Sequence, residues 1–159
     1  MSASNKQWME WMEEALREAA RAEDAGEVPV GAIIVHSGQI IAQGGNRNRT
    51  DSDPTAHAEI VALRAAGRAL GNHRLEGCAM FVTIEPCAMC AGAMVHARLA
   101  RLVYGADDPK AGAVRSVLSL LDHPQLNHQM EITGGVLGAR CSEVLQRFFQ
   151  ARRSQQREE

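Results

Sequence analysis

The chain has 159 residues, within the range of about 100–200 that one domain occupies and enough to bury a core without disulfides. Its hydrophobic content of 45% contains no apolar run approaching the roughly 18 residues of a membrane span. A formal charge of −2 excludes a global basic field, so a nucleic-acid partner has to be held by a local patch.

From the N-terminus, Met1 to Lys6 is polar. Beyond it, Trp8, Trp11, Met12, Ala15, Leu16, Ala19 and Ala22 recur at spacings of three and four and predict an amphipathic helix. Charges interrupt this segment, unlike the apolar stretch of a signal peptide, and a cytoplasmic protein without membrane attachment is expected. The run Val28 to Val35 and the short Gln39 to Ala42 predict two strands joined at Ser37-Gly38 as an antiparallel hairpin. Gly44 to Pro54 is polar and reads as an exposed loop. From Thr55, the positions Ile60, Leu63, Ala66 and Leu70 predict a second helix ending at Gly71. Cys78 to Ile84 is a third strand, Cys87 to Ala97 a buried helix opened by Pro86, and Arg101 to Gly105 a strand parallel to the third. After Asp107-Asp108-Pro109, Val114 to Leu121 reads as helix, Met130 to Thr133 as a short strand, and Cys141 to Arg153 as a terminal helix packed through Val144, Leu145 and Phe148. This order predicts an α/β fold, a three-layer α/β/α sandwich with a five-stranded mixed sheet whose first two strands are antiparallel. Residues 1–159 read as one domain, with the tail fraying from about 154.

Two pieces of sequence carry chemistry. Cys87 and Cys90 are three apart, so the first turn of a helix presents both sulfurs on one side. The positive end of the helix dipole favours the thiolate, the form that binds metal. His57, at a neighbouring helix start, supplies a third ligand, and a His-Cys-Cys set leaves a fourth zinc position open for water. Zinc makes hydroxide available near neutral pH, and Glu59, two residues from His57, is placed to shuttle the proton. Glu85 is the weaker candidate for that role. A redox pair leaves His57 and Glu59 unexplained. Cys78 and Cys141 read as buried packing residues, and His36, His73, His96, His123 and His128 are assigned no chemistry. On the terminal helix, Phe149 has two readings, stacking on a base or packing on the sheet; Arg152 and Arg153 either reach phosphates or are solvated charge.

His57-x-Glu59 with Pro86-Cys87-x-x-Cys90 resembles the zinc deaminase signature. Asp53 to Glu59, Glu85 to Ala93, Val103 to Ala106 and Leu126-Asn127-His128 extend the likeness to the bacterial tRNA adenosine deaminases of the cytidine/deoxycytidylate deaminase superfamily. Gly45 and Arg47 to Ser52 follow no pattern of that family. The resemblance implies a cytidine deaminase-like fold, one Zn2+ per subunit, a homodimer, and hydrolytic conversion of adenosine to inosine at the wobble position of a tRNA anticodon stem-loop. It implies that Glu59 relays protons while hydroxide attacks C6 of a flipped-out adenine. It further implies that Asn46 hydrogen-bonds the target nucleotide, that the Ala58 backbone contacts the base, and that Asp108 and Lys110 meet neighbouring nucleotides. Two alternatives share the zinc motif: a free-base or nucleoside deaminase of guanine or cytosine type, and a non-enzymatic zinc-stabilised RNA-binding module. A purely structural site has no need of Glu59 beside an open coordination position.

Overall fold

A computed structural model describes residues 2–158, leaving Met1 and Glu159 outside the described residues. The elements are α1 (Ser2–Asp24), β1 (Gly31–His36), β2 (Gln39–Gly45), α2 (Ala58–Leu70), β3 (Cys78–Ile84), α3 (Ala88–Ala97), β4 (Arg101–Ala106), β5 (Glu131–Thr133) and α4 (Gly138–Glu158). The strands form a five-stranded sheet in the order β2-β1-β3-β4-β5. β1 is antiparallel to β2 and β3, whereas β3, β4 and β5 run parallel. The expected mixed sheet is borne out. Ser37 and Gly38 make the β1–β2 turn with φ of 51° and 75°, the two left-handed residues that a type I′ hairpin requires.

Alternation along the strands sorts the core into two layers. Ala32 and Ile34 of β1 share one face with Met80, Val82, Leu102 and Tyr104, covered by α2 and α3. Ile33 and Val35 join Phe81 and Val103 on the other face, beneath α1 and α4. The Trp8 and Trp11 rings lie against Phe81 with centroids 6.1 and 5.2 Å away, so one aromatic cluster ties α1 to the sheet centre. Close approach fixes the spacing of these layers: a Cβ at Gly31 would overlap the Ala15 carbonyl of α1, and one at Gly105 would overlap the Cys141 sulfur of α4. Cys78 and Cys141 are both buried, in the packing places read for them.

Two expectations differ from the structure. Val114 to Leu121 is not helical: the Leu118 and Leu120 N–H groups donate to the Gly112 and Ala113 carbonyls instead of to those of Val114 and Ser116, while the N–H groups of Val114, Arg115 and Ser116, which a helix starting there would leave without an internal acceptor, donate to the Glu85 carboxylate. α2 begins at Ala58, three residues after Thr55, since Thr55 is held in an Asx-type turn in which Asp53 accepts from its N–H and hydroxyl. α4 is assigned as helix to Glu158, and 154–158 contain no Gly or Pro to stop it.

Candidate active site

The parallel strands β3 and β4 end at the same edge as the N-termini of α2 and α3, the place where open α/β sheets collect their ligands. His57 is the N-cap of α2 and Cys87 the N-cap of α3, both with extended backbone. Neither side chain caps its own helix. The His57 Nδ1 instead lies 3.6 Å from the Cys87 sulfur and 3.6 Å from the Cys90 sulfur. The three ligand atoms all lie within 4.8 Å of one another. Zn–S and Zn–N bonds of about 2.3 and 2.0–2.1 Å at a tetrahedral angle separate nitrogen and sulfur by about 3.6 Å, so the spacing and the donor set both suit zinc. Cys87 is held down to about 3 by its hydrogen bonds with Cys90 and with the His57 ring. Cys90 is raised by its bond to Cys87 and by burial.

Glu59 sits in the first turn of α2, 3% exposed, and lines the same cavity as His57 and Cys87. Burial pushes its carboxyl up to about 7, against the pull of its own backbone N–H and of His57. A carboxyl so placed can both take and return a proton near neutral pH.

The cavity is about 420 Å³. Asn46, Asp108, Lys110, Phe149 and Arg153 stand in its wall, as do the apolar Val28, Val30, Ile84 and Leu145. Phe149 is 44% exposed and so is not committed to the core, whereas Phe148 beside it is buried. Ala58 and Arg152 make contacts within the protein. Ala58 is fully buried, and its N–H donates to Asn46 Oδ1 at 2.8 Å, so that backbone group is already satisfied. Arg152 stacks on the Phe148 ring, 4.8 Å from its centroid, and does not line the cavity. On a helix, residues 152 and 153 point about 100° apart, so the two arginines cannot share one face.

Glu85 lies in the cavity wall but is not built for proton transfer. Its carboxylate accepts from the N–H groups of Asp108, Val114, Arg115 and Ser116 and from the Ser116 hydroxyl. Burial acts to raise its pKa, and these bonds outweigh burial and hold it down to about 2. The role weighed for it in proton relay is therefore corrected. Glu27 is a second buried carboxylate that the sequence reading missed: it accepts from the Arg49 N–H and from the Thr50 N–H and hydroxyl, tying down the loop after Asn46. The available signal was a lone acidic residue abutting the apolar run from Val28 to Val35. The apolar cavity residues carry no chemical signature in a sequence, and only the fold gathers them.

A cytidine deaminase-like sheet with a His-Cys-Cys cluster and a buried carboxylate at its ligand edge defines the class: a deaminase. The chain belongs to the MafB19-like deaminase family, which it matches over residues 6–153. It is 48% identical to the tRNA-specific adenosine deaminase of Haemophilus influenzae over 92% of this chain and 85% of that protein. A solved structure from a study of A-to-I editing by tRNA:A34 deaminases at the wobble position of transfer RNA superposes with a TM-score of 0.83 at 46% identity, covering 86% of this chain and 99% of that chain. The guanine deaminase from Bacillus subtilis superposes with a TM-score of 0.62 at 34% identity, over 91% of this chain and 92% of that chain.

Proposed function

We propose that this protein is a zinc-dependent hydrolase that deaminates adenosine to inosine at the wobble position of the tRNA anticodon. The observation that carries the reading is Glu59, buried at the floor of a cavity that it shares with His57 and Cys87, without being one of the three clustered ligand residues. His57, Cys87 and Cys90 would hold one Zn2+. When bound, the ion supplies the Lewis acidity that makes water nucleophilic near neutral pH. Glu59 takes the proton released as water adds to C6 of adenine and delivers it to ring N1. Glu59 then takes the proton of the new C6 hydroxyl and passes it to the departing amine; the C6–N bond breaks as the C6 carbonyl forms, and ammonia leaves.

Binding follows from the wall residues. The Asn46 amide nitrogen keeps its donors for the nucleotide while Oδ1 holds the Ala58 N–H. Phe149 offers an exposed ring for a neighbouring base, and Arg153 and Lys110 offer cations for phosphate. An anticodon loop suits the site, since a loop base is extruded at less cost than a paired one. A tRNA substrate places the protein in the cytoplasm; among the described residues no helix is long and apolar enough to cross a membrane.

The exposed Met89 of α3 and Val117, Leu118 and Leu120 of the following loop support a homodimer. That loop hangs from Ala113, whose N–H donates to the Pro86 carbonyl just before α3, which ties the start of the loop to the start of that helix. A second copy would cover them.

Incubating zinc-loaded protein separately with an anticodon stem-loop bearing a wobble adenosine, free adenosine, guanine and cytidine tests the assignment. Inosine from the stem-loop alone is expected. Turnover of guanine or a free nucleoside instead would replace this reading with that of a free-base or nucleoside deaminase. Stem-loop binding with no turnover of any substrate would leave an RNA-binding module.

A further inference from the structure

The chain leaves β3 through Glu85, a carboxylate that is 1% exposed and yet makes five hydrogen bonds. Oε1 accepts the Asp108 N–H at 3.0 Å and the Ser116 hydroxyl. Oε2 accepts the N–H groups of Val114, Arg115 and Ser116 at 3.1, 2.8 and 2.9 Å. All five donors belong to the segment 108–116, which has neither helix nor strand to satisfy its backbone. Gly112 in the same segment packs so closely that a Cβ there would overlap the carboxyl group. The segment also carries Asp108 and Lys110, and the Asp108 carboxylate in turn accepts the N–H groups of Lys110 and Ala111 at 3.1 and 3.2 Å. A chain of bonds therefore runs from β3 through Glu85 and Asp108 to the cavity wall at Lys110.

We propose that Glu85 is a positioning residue for the substrate: its buried carboxylate holds the 108–116 segment in place, fixes where Asp108 and Lys110 stand, and so governs how tightly the RNA is held. The proposal rests on the tRNA-deaminase reading above. Ordering a loop before binding spares the association that entropic cost, so the anchor acts on substrate affinity. With roughly four lone-pair sites set against five donors, the carboxylate has no site left for a reacting water.

Three variants separate this role from proton transfer. Glu85→Gln puts an NH2 where one oxygen stood. With the nitrogen at the Oε1 position, the Ser116 hydroxyl can turn to accept, the three bonds at Oε2 remain, and the Asp108 N–H is left facing a donor. Gly112→Ala keeps both oxygens and forces the segment off them. Ser116→Ala removes one bond of the five and is the mild member of the series. Each is compared with the wild type in metal content, in KM and kcat for the stem-loop, and in amide hydrogen exchange of peptides covering 107–117. The expected result is a stem-loop KM raised about tenfold in Glu85→Gln and Gly112→Ala, the size of a lost charged hydrogen bond, with a smaller change in kcat. Exchange across 107–117 is faster in both, Ser116→Ala moves the same way by less, and metal content is unaltered. Loss of kcat in Glu85→Gln with Gly112→Ala behaving as wild type would overturn the proposal and make Glu85 a proton-transfer group. Unchanged exchange across 107–117 would overturn it whatever the activity. A wild type that converts no stem-loop would sink the functional reading, and the exchange data would then decide the anchor on their own.

Discussion

Glu59 and Glu85 are both buried carboxylates in the wall of one cavity, and their surroundings drive them in opposite directions. Glu59 has few donors, so burial dominates and raises it to about 7; Glu85 has five, and they hold it down to about 2. Only the first can exchange protons with a substrate near neutral pH. Glu59→Gln, which keeps the side chain's size, is therefore expected to lower kcat for deamination about 10²–10⁴-fold, the usual contribution of a general acid–base group, while metal content stays at the wild-type level. Stopped-time assays with metal analysis by mass spectrometry check both halves, and retained turnover would end the assigned mechanism. His57→Ala, removing the one nitrogen of the cluster, is expected to lose the metal. The sequence made the ligand trio and Glu59 legible because they sit at short, chemically constrained spacings at helix starts. It did not separate these two carboxylates, because their difference lies in donors 23 to 31 residues away from Glu85 along the chain.

At the level of elements, the fold depends on helices brought unusually close to the sheet. α1 crosses β1 at Gly31, where a Cβ would meet backbone of α1 that no rotamer change can move aside. Gly31→Ala is expected to cost about 1–3 kcal/mol by overpacking and to lower the melting temperature by roughly 2–10 °C, measurable by calorimetry. An unchanged melting temperature would mean that α1 can shift away from the sheet at no cost. Strand periodicity gave the elements good definition: β3 is observed over the expected Cys78–Ile84, and β4 extends the expected strand by one residue. The failure at Val114 to Leu121 is equally instructive. Its apolar spacing is helical, yet Val117, Leu118 and Leu120 are exposed, and the Leu118 and Leu120 N–H groups donate to the Gly112 and Ala113 carbonyls instead of to those four residues back.

Across the whole molecule, two buried carboxylates pin the two loops that flank the cavity, Glu27 on the side of Asn46 and Glu85 on the side of Asp108. For Glu27, burial acts to raise the pKa, and the bonds from Thr50 and Arg49 leave it below its ordinary 4.5. A carboxylate lowered on folding stabilises the protein above its unfolded pKa, and that contribution disappears as pH falls through the folded value. The melting temperature should therefore be insensitive to these groups above about pH 4.5 and decline below it, with the Glu85 share lost by about pH 2. Glu27→Gln should be less stable than wild type at neutral pH and show a shallower acid decline, as scanning calorimetry from pH 6 to 2 would measure. Parallel declines in the two proteins would remove Glu27 from the account.

What the sequence determined by itself was local: the periods of strands and helices, the turn at Ser37-Gly38, and a His-Cys-Cys trio with its neighbouring carboxylate, all encoded within a few residues of one another or at recognisable helix starts. The tertiary structure alone decided which backbone groups were left without partners and which side chains satisfied them. That is why Ala58 is sealed by Asn46, why Arg152 turns to Phe148 while Arg153 faces the cavity, and why the N–H groups of 114–116 turn to Glu85. Each of these outcomes is a competition for a hydrogen bond or a packing face between residues far apart in the chain, and such a competition is settled only when the chain has folded.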